Sequence, residues 1–170
     1  MGLVKPKKFL GQHFLRDLGI ANDIADTVDA CPSLPILEVG PGMGVLTQFL
    51  LNKNRDVKVV ELDFESVAYL KEHFPTLQDN IIEYDFLKLD LETLFDGNPF
   101  VLTGNYPYNI SSQIFFKMLD YKNLIPCCTG MIQKEVAERI AAAPGSKTYG
   151  ILSVLIQAWY KVEYLFTVHE

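Results

Sequence analysis

Four short apolar runs recur through the middle of the chain, and a plausible helix follows each of them. The runs are Ile36 to Val39, Val57 to Val60, Ile81 to Tyr84 and Phe100 to Thr103. Strands that alternate with helices are typical of a parallel sheet, because parallel strands need a long crossover connection. The pattern therefore predicts an α/β, Rossmann-like fold with a mostly parallel central sheet and helices on both faces.

Further elements are expected on both sides of these runs. Asp17 precedes a helical pattern with Ile20, Ile24 and Val28 on one face, so its side chain can cap the exposed amides at the helix start. The other expected elements are a crossover helix with Val45, Leu46, Phe49 and Leu50 on one face, a strand over Cys127 to Ile132, a helix over Gln133 to Ala143 and a strand over Val162 to Val168. Residues 151 to 160 fit either a helix or a strand.

Length and composition limit the classes of protein to which this chain can belong. A chain of 170 residues with 49% hydrophobic residues can build one sizeable core, so we expect a single domain and, by default, a monomer. No apolar run approaches the roughly 20 residues that cross a bilayer, and no signal peptide is visible at the N-terminus, which predicts a cytoplasmic protein.

The cysteines, Cys31, Cys127 and Cys128, lack metal-ligand spacing, and their odd number predicts reduced structural thiols. Nothing in the sequence suggests a metal.

The charge is unevenly distributed. The net charge is -6, yet residues 1 to 16 hold four basic residues and no acid, which leaves 11 basic against 21 acidic residues in the rest of the chain. A basic arm on an acidic body could contact phosphates, because each neutralised phosphate releases counterions. An ordinary solvated tail fits the same charge, so the alternative stays open.

A glycine loop follows the first predicted strand, in the segment EVGPGMG that runs from Glu38 to Gly44. Glycines at this turn let the backbone approach a ligand closely. Val45 stands where a dinucleotide fingerprint would have Gly or Ala, and Glu38 would oppose a pyrophosphate but tolerate a cationic ligand.

Two acids follow the next two strands. Glu61 lies 21 positions after Gly40, where a carboxylate can accept hydrogen bonds from both ribose hydroxyls. Asp85 could accept a hydrogen bond from an adenine amino group. Either acid alone could be a solvated loop residue. The ordered set predicts an adenosine site without phosphates, and we infer S-adenosylmethionine as its ligand.

The segment GNYPYNIS follows the fourth run and carries the candidate catalytic residues Asn105, Tyr106, Pro107 and Tyr108. The exocyclic amine of adenine is a weak nucleophile, and acceptors for its N–H bonds can aim its lone pair at a methyl group. The Asn105 side chain is one such acceptor, and a backbone carbonyl beside Pro107 is a second. Tyr108 can stack on the base.

Together these segments resemble the ribosomal RNA adenine N6,N6-dimethyltransferases, which are related to the erythromycin-resistance methylases. The matching segments are KFLGQHFL, EVGPGMGVLT, VELD, Asp85, GNYPYNIS, MIQKEV and SKTYG. Most members of that family have Leu where this chain has Tyr106. The resemblance implies a class I methyltransferase fold that uses S-adenosylmethionine to dimethylate adenines of small-subunit rRNA.

The resemblance also assigns residues. It implies that the cofactor is bound by Gln12, His13, Leu15, Gly40, Gly42, Glu61, Asp85 and Asn105, and that RNA lies near Lys5, Lys7 and Lys8. His13 could equally be a structural loop histidine, and the segment from Gln133 to Val136 could simply begin a helix. The implied organisation is an arm over residues 1–16 and a catalytic domain over 17–170, without the family's C-terminal helical RNA-binding domain. We therefore expect cofactor binding with weak docking of RNA.

Two other functions fit the same residues. A DNA adenine N6-methyltransferase is compatible with the chemistry of Asn105 to Tyr108. A ribosome-assembly factor that binds RNA, with methylation secondary, is compatible with the basic arm.

Overall fold

The central element is a five-stranded parallel sheet, seen in a computed structural model that describes residues 4–5 and 15–169. The strands are β1 (Ile36–Val39), β2 (Val57–Glu61), β3 (Ile81–Glu83), β4 (Val101–Gly104) and β5 (Cys127–Cys128). Their order is β3-β2-β1-β4-β5, and every neighbouring pair is parallel. The predicted α/β fold is confirmed.

Helices cover both faces of this sheet. They are α1 (Leu18–Asp26), α2 (Thr47–Leu50), α3 (Phe64–His73), α4 (Ser111–Asp120), α5 (Lys134–Ile140) and α6 (Ile151–Gln157). Successive strand residues point to opposite faces, so Leu102 packs with α4, α5 and α6 while Val101 packs with α1, α2 and α3. The two core clusters therefore hold helix layers on the two sides of one sheet.

The start of α1 agrees with its sequence signal. Asp17 is the N-cap and its side chain accepts a hydrogen bond from the Ile20 amide at 3.1 Å. Ile24 and Val28 are buried on the face that meets the core, and Ile20 is half-buried. The predicted cap is confirmed.

Several predicted bounds need correction. The crossover helix is only the four residues of α2, because the glycine loop continues as turns up to Leu46. The fifth strand ends at Cys128, after which only an isolated bridge joins Asn105 to Met131. The helix expected to Ala143 ends at Ile140, and the ambiguous segment from 151 is helical through Gln157.

The strand predicted over Val162 to Val168 is wrong. Residues 160–169 have no regular secondary structure, and Tyr164, Leu165 and Phe166 are exposed. A strand needs a neighbour with which to form a ladder, and in the described part of the chain β5 pairs only with β4 and its outer edge carries no further strand. An apolar run alone therefore did not determine strand formation here.

The prediction of reduced thiols is also wrong for two of the cysteines. Cys31 and Cys127 form a disulfide across 96 residues, with their Cα atoms 5.8 Å apart. The alternation of side chains along β5 turns Cys127 toward the core face that contains Cys31, whereas Cys128 packs on the opposite face and stays a free thiol. None of the helices in the described part of the chain is long and apolar enough to cross a membrane.

Candidate functional site

The carboxyl ends of β1, β2 and β4 meet at one edge of the sheet. Val39, the last residue of β1, pairs with Val60 on one side and with Gly104 on the other. The strand order reverses at β1, and ligand crevices in open parallel sheets form at such a switch point. The register therefore brings Gly40, Glu61 and Asn105 to one crevice.

The glycine loop closes one wall of this crevice. Gly40 has φ +68°, in the left-handed region that favours glycine. A Cβ on Gly40 would lie 3.5 Å from Cδ of Pro107. The loop after β1 thus packs directly against the segment after β4, and a larger side chain would fill the space between them.

The Glu61 carboxylate is held under the loop. Its side chain is only 6% exposed, and its Oε1 accepts from the Gly42 amide at 3.0 Å while Oε2 accepts from the Asp63 amide at 3.1 Å. Burial raises the pKa of Glu61, and these backbone hydrogen bonds partly oppose the rise. A carboxylate has about four acceptor sites, so the two oxygens retain capacity for ligand hydroxyls.

Glu38 provides a second buried carboxyl group beneath the loop. It is 1% exposed and accepts a hydrogen bond from the Thr47 hydroxyl at the start of α2. Burial raises the pKa of Glu38 to about 8, the Thr47 hydrogen bond opposes the rise, and the charge of Glu61 adds to it. The loop is therefore anchored to a carboxyl group that is largely protonated at neutral pH.

Asp85 lies two residues beyond the end of β3, at the same edge of the sheet. Its Oδ1 accepts from the Leu87 amide at 3.0 Å and caps the short 3₁₀ helix Phe86–Lys88. The side chain is half-buried. Asp85 thus follows the third strand, at the β3 end of the crevice.

The segment after β4 is held by main-chain pairing. The Met131 amide donates to the Gly104 carbonyl at 2.9 Å, and the Tyr106 amide donates to the Met131 carbonyl at 3.1 Å. These two bonds flank Asn105, which forms an isolated parallel bridge with Met131. Tyr108 then begins the 3₁₀ helix Tyr108–Ile110, and both Pro107 and Tyr108 are half-buried at the rim.

Tyr106 turns its side chain away from the crevice. It is 2% exposed, its hydroxyl donates to the Thr129 carbonyl at 2.6 Å, and its ring meets Phe115 edge-on at a centroid distance of 5.6 Å. Burial raises the pKa of Tyr106, so the hydroxyl stays protonated. Tyr106 can contribute to the crevice through its backbone, and its side chain anchors the motif to the core.

Gly130 makes this anchoring possible. A Cβ there would lie 2.3 Å from the Gly104 carbonyl oxygen and 2.5 Å from Cε2 of Tyr106. Its φ is +141°, which also favours glycine. The backbone of Gly130 therefore packs closely against β4 and the Tyr106 ring.

Some predicted residues cannot be placed. Lys7, Lys8, Gln12 and His13 lie outside the described residues. Leu15 is half-buried against the core cluster that contains α1, and Lys5 is exposed. Glu135 lies in the first turn of α5 and is exposed, as expected for a helix start.

Sequence reasoning missed several residues that shape the crevice. They are Thr47, which binds Glu38; Thr129 and Met131, which hold the Tyr106 segment; and Lys117, which binds carbonyl groups after Asp85. Their contacts join residues that are distant in the chain or use backbone groups. A single sequence carries no periodic signal for such contacts.

The acceptor groups of the crevice suit an adenosine with a positive charge rather than a phosphate. Glu38 and Glu61 are neighbouring carboxyl groups at the crevice, and Glu61 presents acceptor oxygens of the kind that ribose hydroxyls require. Gly40 supplies a backbone wall without a side chain. Within residues 4–5 and 15–169, no group of three His, Cys, Asp or Glu side chains could hold a metal ion.

Comparisons with known proteins point to the same type of site. The family model described as ribosomal RNA adenine dimethylase matches residues 4–170. The chain is 88% identical over its full length to the ribosomal RNA small subunit methyltransferase A of Phocaeicola vulgatus, and 82% identical to that of Bacteroides fragilis. It covers 61% and 62% of those proteins, which is less than two thirds of their length.

Solved structures share the fold. A dimethyladenosine transferase from Plasmodium falciparum aligns with a TM-score of 0.70 at 30% identity, covering 85% of this chain and 52% of that one. The CcbJ methyltransferase from Streptomyces caelestis aligns with a TM-score of 0.52 at 19% identity, covering 69% of this chain and 51% of that one. The predicted class I methyltransferase fold is confirmed, and the match over residues 4–170 shows that the chain belongs to the ribosomal RNA adenine dimethylase family.

Proposed function

We propose that this chain is the methyl-transfer part of a longer enzyme that dimethylates N6 of adenines in small-subunit ribosomal RNA, with S-adenosylmethionine as the methyl donor. The observation that carries the proposal is the close approach of Gly40 to Pro107, where a Cβ on Gly40 would lie 3.5 Å from Cδ of Pro107, so the glycine loop lies beside the Asn105–Tyr108 segment. Methyl transfer requires that the loop lining the cofactor lies next to the segment that binds the acceptor amine. The family match supports the choice of an RNA adenine as acceptor.

The cofactor would be held at the edge formed by β1, β2 and β3. Glu61 accepts the ribose hydroxyls, Asp85 accepts the adenine amino group, and Gly40 and Gly42 line the remaining wall. Leu15, Gln12 and His13 are proposed to close over it from the N-terminal side. S-adenosylmethionine supplies an electrophilic methyl group on a positively charged sulfur, and the Glu61 carboxylate tolerates that charge better than it would a phosphate.

The target adenine would be held at the end of β4. The exocyclic amine donates one hydrogen bond to the Asn105 side-chain oxygen and another to a backbone carbonyl beside Pro107. These two hydrogen bonds direct the lone pair of the amine toward the methyl group. Tyr108 stacks on the base, a contact worth about 1–3 kcal/mol in proteins that bind single-stranded nucleic acid. Proximity and in-line orientation of the amine and the methyl group supply much of the rate acceleration, and the methylated nitrogen loses its proton after transfer.

The first test is calorimetric titration with S-adenosylmethionine of the parent chain, of Glu61→Ala and of Glu83→Ala. Glu83 is the matched control, since it is exposed at the end of β3 and pairs in register with Glu61. We expect binding by the parent and by Glu83→Ala, and loss of binding in Glu61→Ala. A folded parent that does not bind the cofactor would contradict the proposal.

The second test measures methyl transfer to immature small ribosomal subunits and to duplex DNA. We expect dimethyladenosine in the RNA, abolished by Asn105→Ala, and no methylated DNA. Lys5, Lys7 and Lys8 are proposed to contact the RNA, and docking by this chain is expected to be weak. Binding to immature subunits that is unaffected by Asn105→Ala and independent of cofactor would instead favour an assembly factor.

The proposed site of action is the cytoplasm, where ribosomal subunits mature, and the proposed oligomeric state is a monomer.

A further inference from the structure

Lys117 binds the backbone of the loop that carries Asp85. Its Nζ atom, on α4, donates to the carbonyl oxygens of Phe86 and Leu89 at 2.5 Å each. These carbonyls belong to residues 85–89, which we call the Asp85 loop. The lysine therefore fixes the path of the backbone directly after Asp85, whose carboxylate lies at the β3 end of the crevice.

The surroundings of Lys117 distinguish it from an ordinary surface lysine. The side chain is half-buried, and its ammonium lies 5.1 Å from the centroid of the Phe86 ring and 5.9 Å from that of Tyr121. Burial lowers the pKa of Lys117, while the charges of the nearby carboxylates Asp85, Asp90 and Asp120 oppose that change. A cation in this environment holds the loop through directed hydrogen bonds to two backbone carbonyl groups.

The helix that carries Lys117 also contacts the other half of the crevice. α4 begins at Ser111, soon after the Asn105–Tyr108 segment, and its Phe115 packs against the Tyr106 ring. One helix thus contacts both the predicted adenine-reading loop and the predicted amine-binding segment. Besides the Lys117 hydrogen bonds, the loop is held by its local 3₁₀ bonds, by the Asp85 cap and by the packing of Phe86 in the core.

We propose that Lys117 is a positioning residue for the cofactor: it holds the Asp85 loop in the conformation in which the Asp85 carboxylate accepts the adenine amino group. This proposal rests on the proposed function, because it specifies how the same site recognises the adenine. Lys117 acts through Asp85 and does not itself touch the ligand.

The test is calorimetric titration of S-adenosylmethionine into the parent, Lys117→Met and Lys122→Met. Lys122 is the matched control, because it lies five positions further along and places its ammonium over the Trp159 ring, 4.6 Å from the centroid. We expect Lys117→Met to bind about tenfold more weakly, a loss within the range for residues that share one hydrogen-bond network. Lys122→Met should bind as the parent does. Equal affinity of folded Lys117→Met and the parent would overturn the proposal.

A double variant separates positioning from a general loss of structure. If Lys117 acts through Asp85, then Lys117→Met in an Asp85→Asn background should weaken binding no further than Asp85→Asn alone. Two losses that simply add would mean that Lys117 supports the fold without positioning Asp85, and would also overturn the proposal. If Lys117→Met does not fold, Lys117→Gln, which can still donate to one carbonyl, is used in both experiments with the same criteria.

The ligand offers an independent readout. An S-adenosylhomocysteine analogue with oxygen in place of the purine amino group should bind the parent more weakly than S-adenosylhomocysteine does, and Lys117→Met should discriminate less between the two. Unchanged discrimination would overturn the proposal. A parent that binds neither S-adenosylmethionine nor S-adenosylhomocysteine would instead refute the proposed function itself, so the two failures are distinguishable.

Discussion

The Gly42 amide donates a hydrogen bond to Oε1 of Glu61 at 3.0 Å, so the glycine loop and the carboxylate proposed to bind ribose are directly joined. A ribose hydroxyl that donates to the same oxygen would share it with this amide. We expect saturating S-adenosylmethionine to shift the Gly42 and Asp63 amide resonances in the ¹⁵N-resolved NMR spectrum. The amide of Lys58, within β2, is the internal reference. Binding seen by calorimetry with neither loop amide shifted would show that the cofactor does not use Glu61.

The buried carboxyl group of Glu38 makes stability depend on pH. The pKa of Glu38 is about 8 in the folded protein and near its ordinary 4.5 when unfolded, so the folded state binds more protons between these values. The free energy of unfolding should therefore fall as pH rises from about 5 to about 8, by at most about 1.4 kcal/mol per pH unit for this group. Urea unfolding across this range measures the slope.

The variant Glu38→Gln is the matched test of that slope. Its amide oxygen can still accept from the Thr47 hydroxyl, but the side chain no longer titrates. We expect a flatter dependence, with the residual slope due partly to Glu61, whose pKa is also raised by burial. An identical slope in Glu38→Gln would assign the pH dependence to other groups.

The Tyr106 hydroxyl should contribute to stability rather than to chemistry. Tyr106→Phe removes the donor to the carbonyl of the half-buried Thr129, which should cost about 0.5–1.5 kcal/mol in the free energy of unfolding. Tyr160→Phe is the comparison, because its hydroxyl donates to the Ile125 carbonyl at 2.8 Å, outside the Asn105–Tyr108 segment. Chemical denaturation measures both. A Tyr106→Phe variant as stable as the parent would show that the hydroxyl does not anchor the segment.

The Cys31–Cys127 disulfide should stabilise the chain substantially. It closes a loop of 96 residues, and the chain-entropy model gives about 4–5 kcal/mol for a loop of roughly that length. We expect one reactive thiol per chain in denaturant without reductant, and a lower urea midpoint after reduction. The single thiol should disappear in Cys128→Ala. Three reactive thiols in the unreduced protein would contradict the bond.

Much of the crevice could be predicted because its signals are local. Gly40, Glu61 and Asp85 each follow an apolar run, and parallel strands bring such positions to one edge of the sheet. The role of Tyr106 was harder to predict. Its position in the motif suggested chemistry, whereas its side chain packs on Phe115 and Thr129, which come from other elements.

The sequence by itself determined the strand and helix alternation, the cap at Asp17 and the order of polar residues along the crevice, because each depends on spacing within a few positions. The tertiary structure alone decided which distant groups meet: Cys31 with Cys127, Lys117 with the Asp85 loop, and Thr129 with Tyr106. It also left Val162 to Val168 without a strand, because a ladder needs a neighbour. Local periodicity encodes which face a residue occupies, and only the folded chain determines what lies opposite that face.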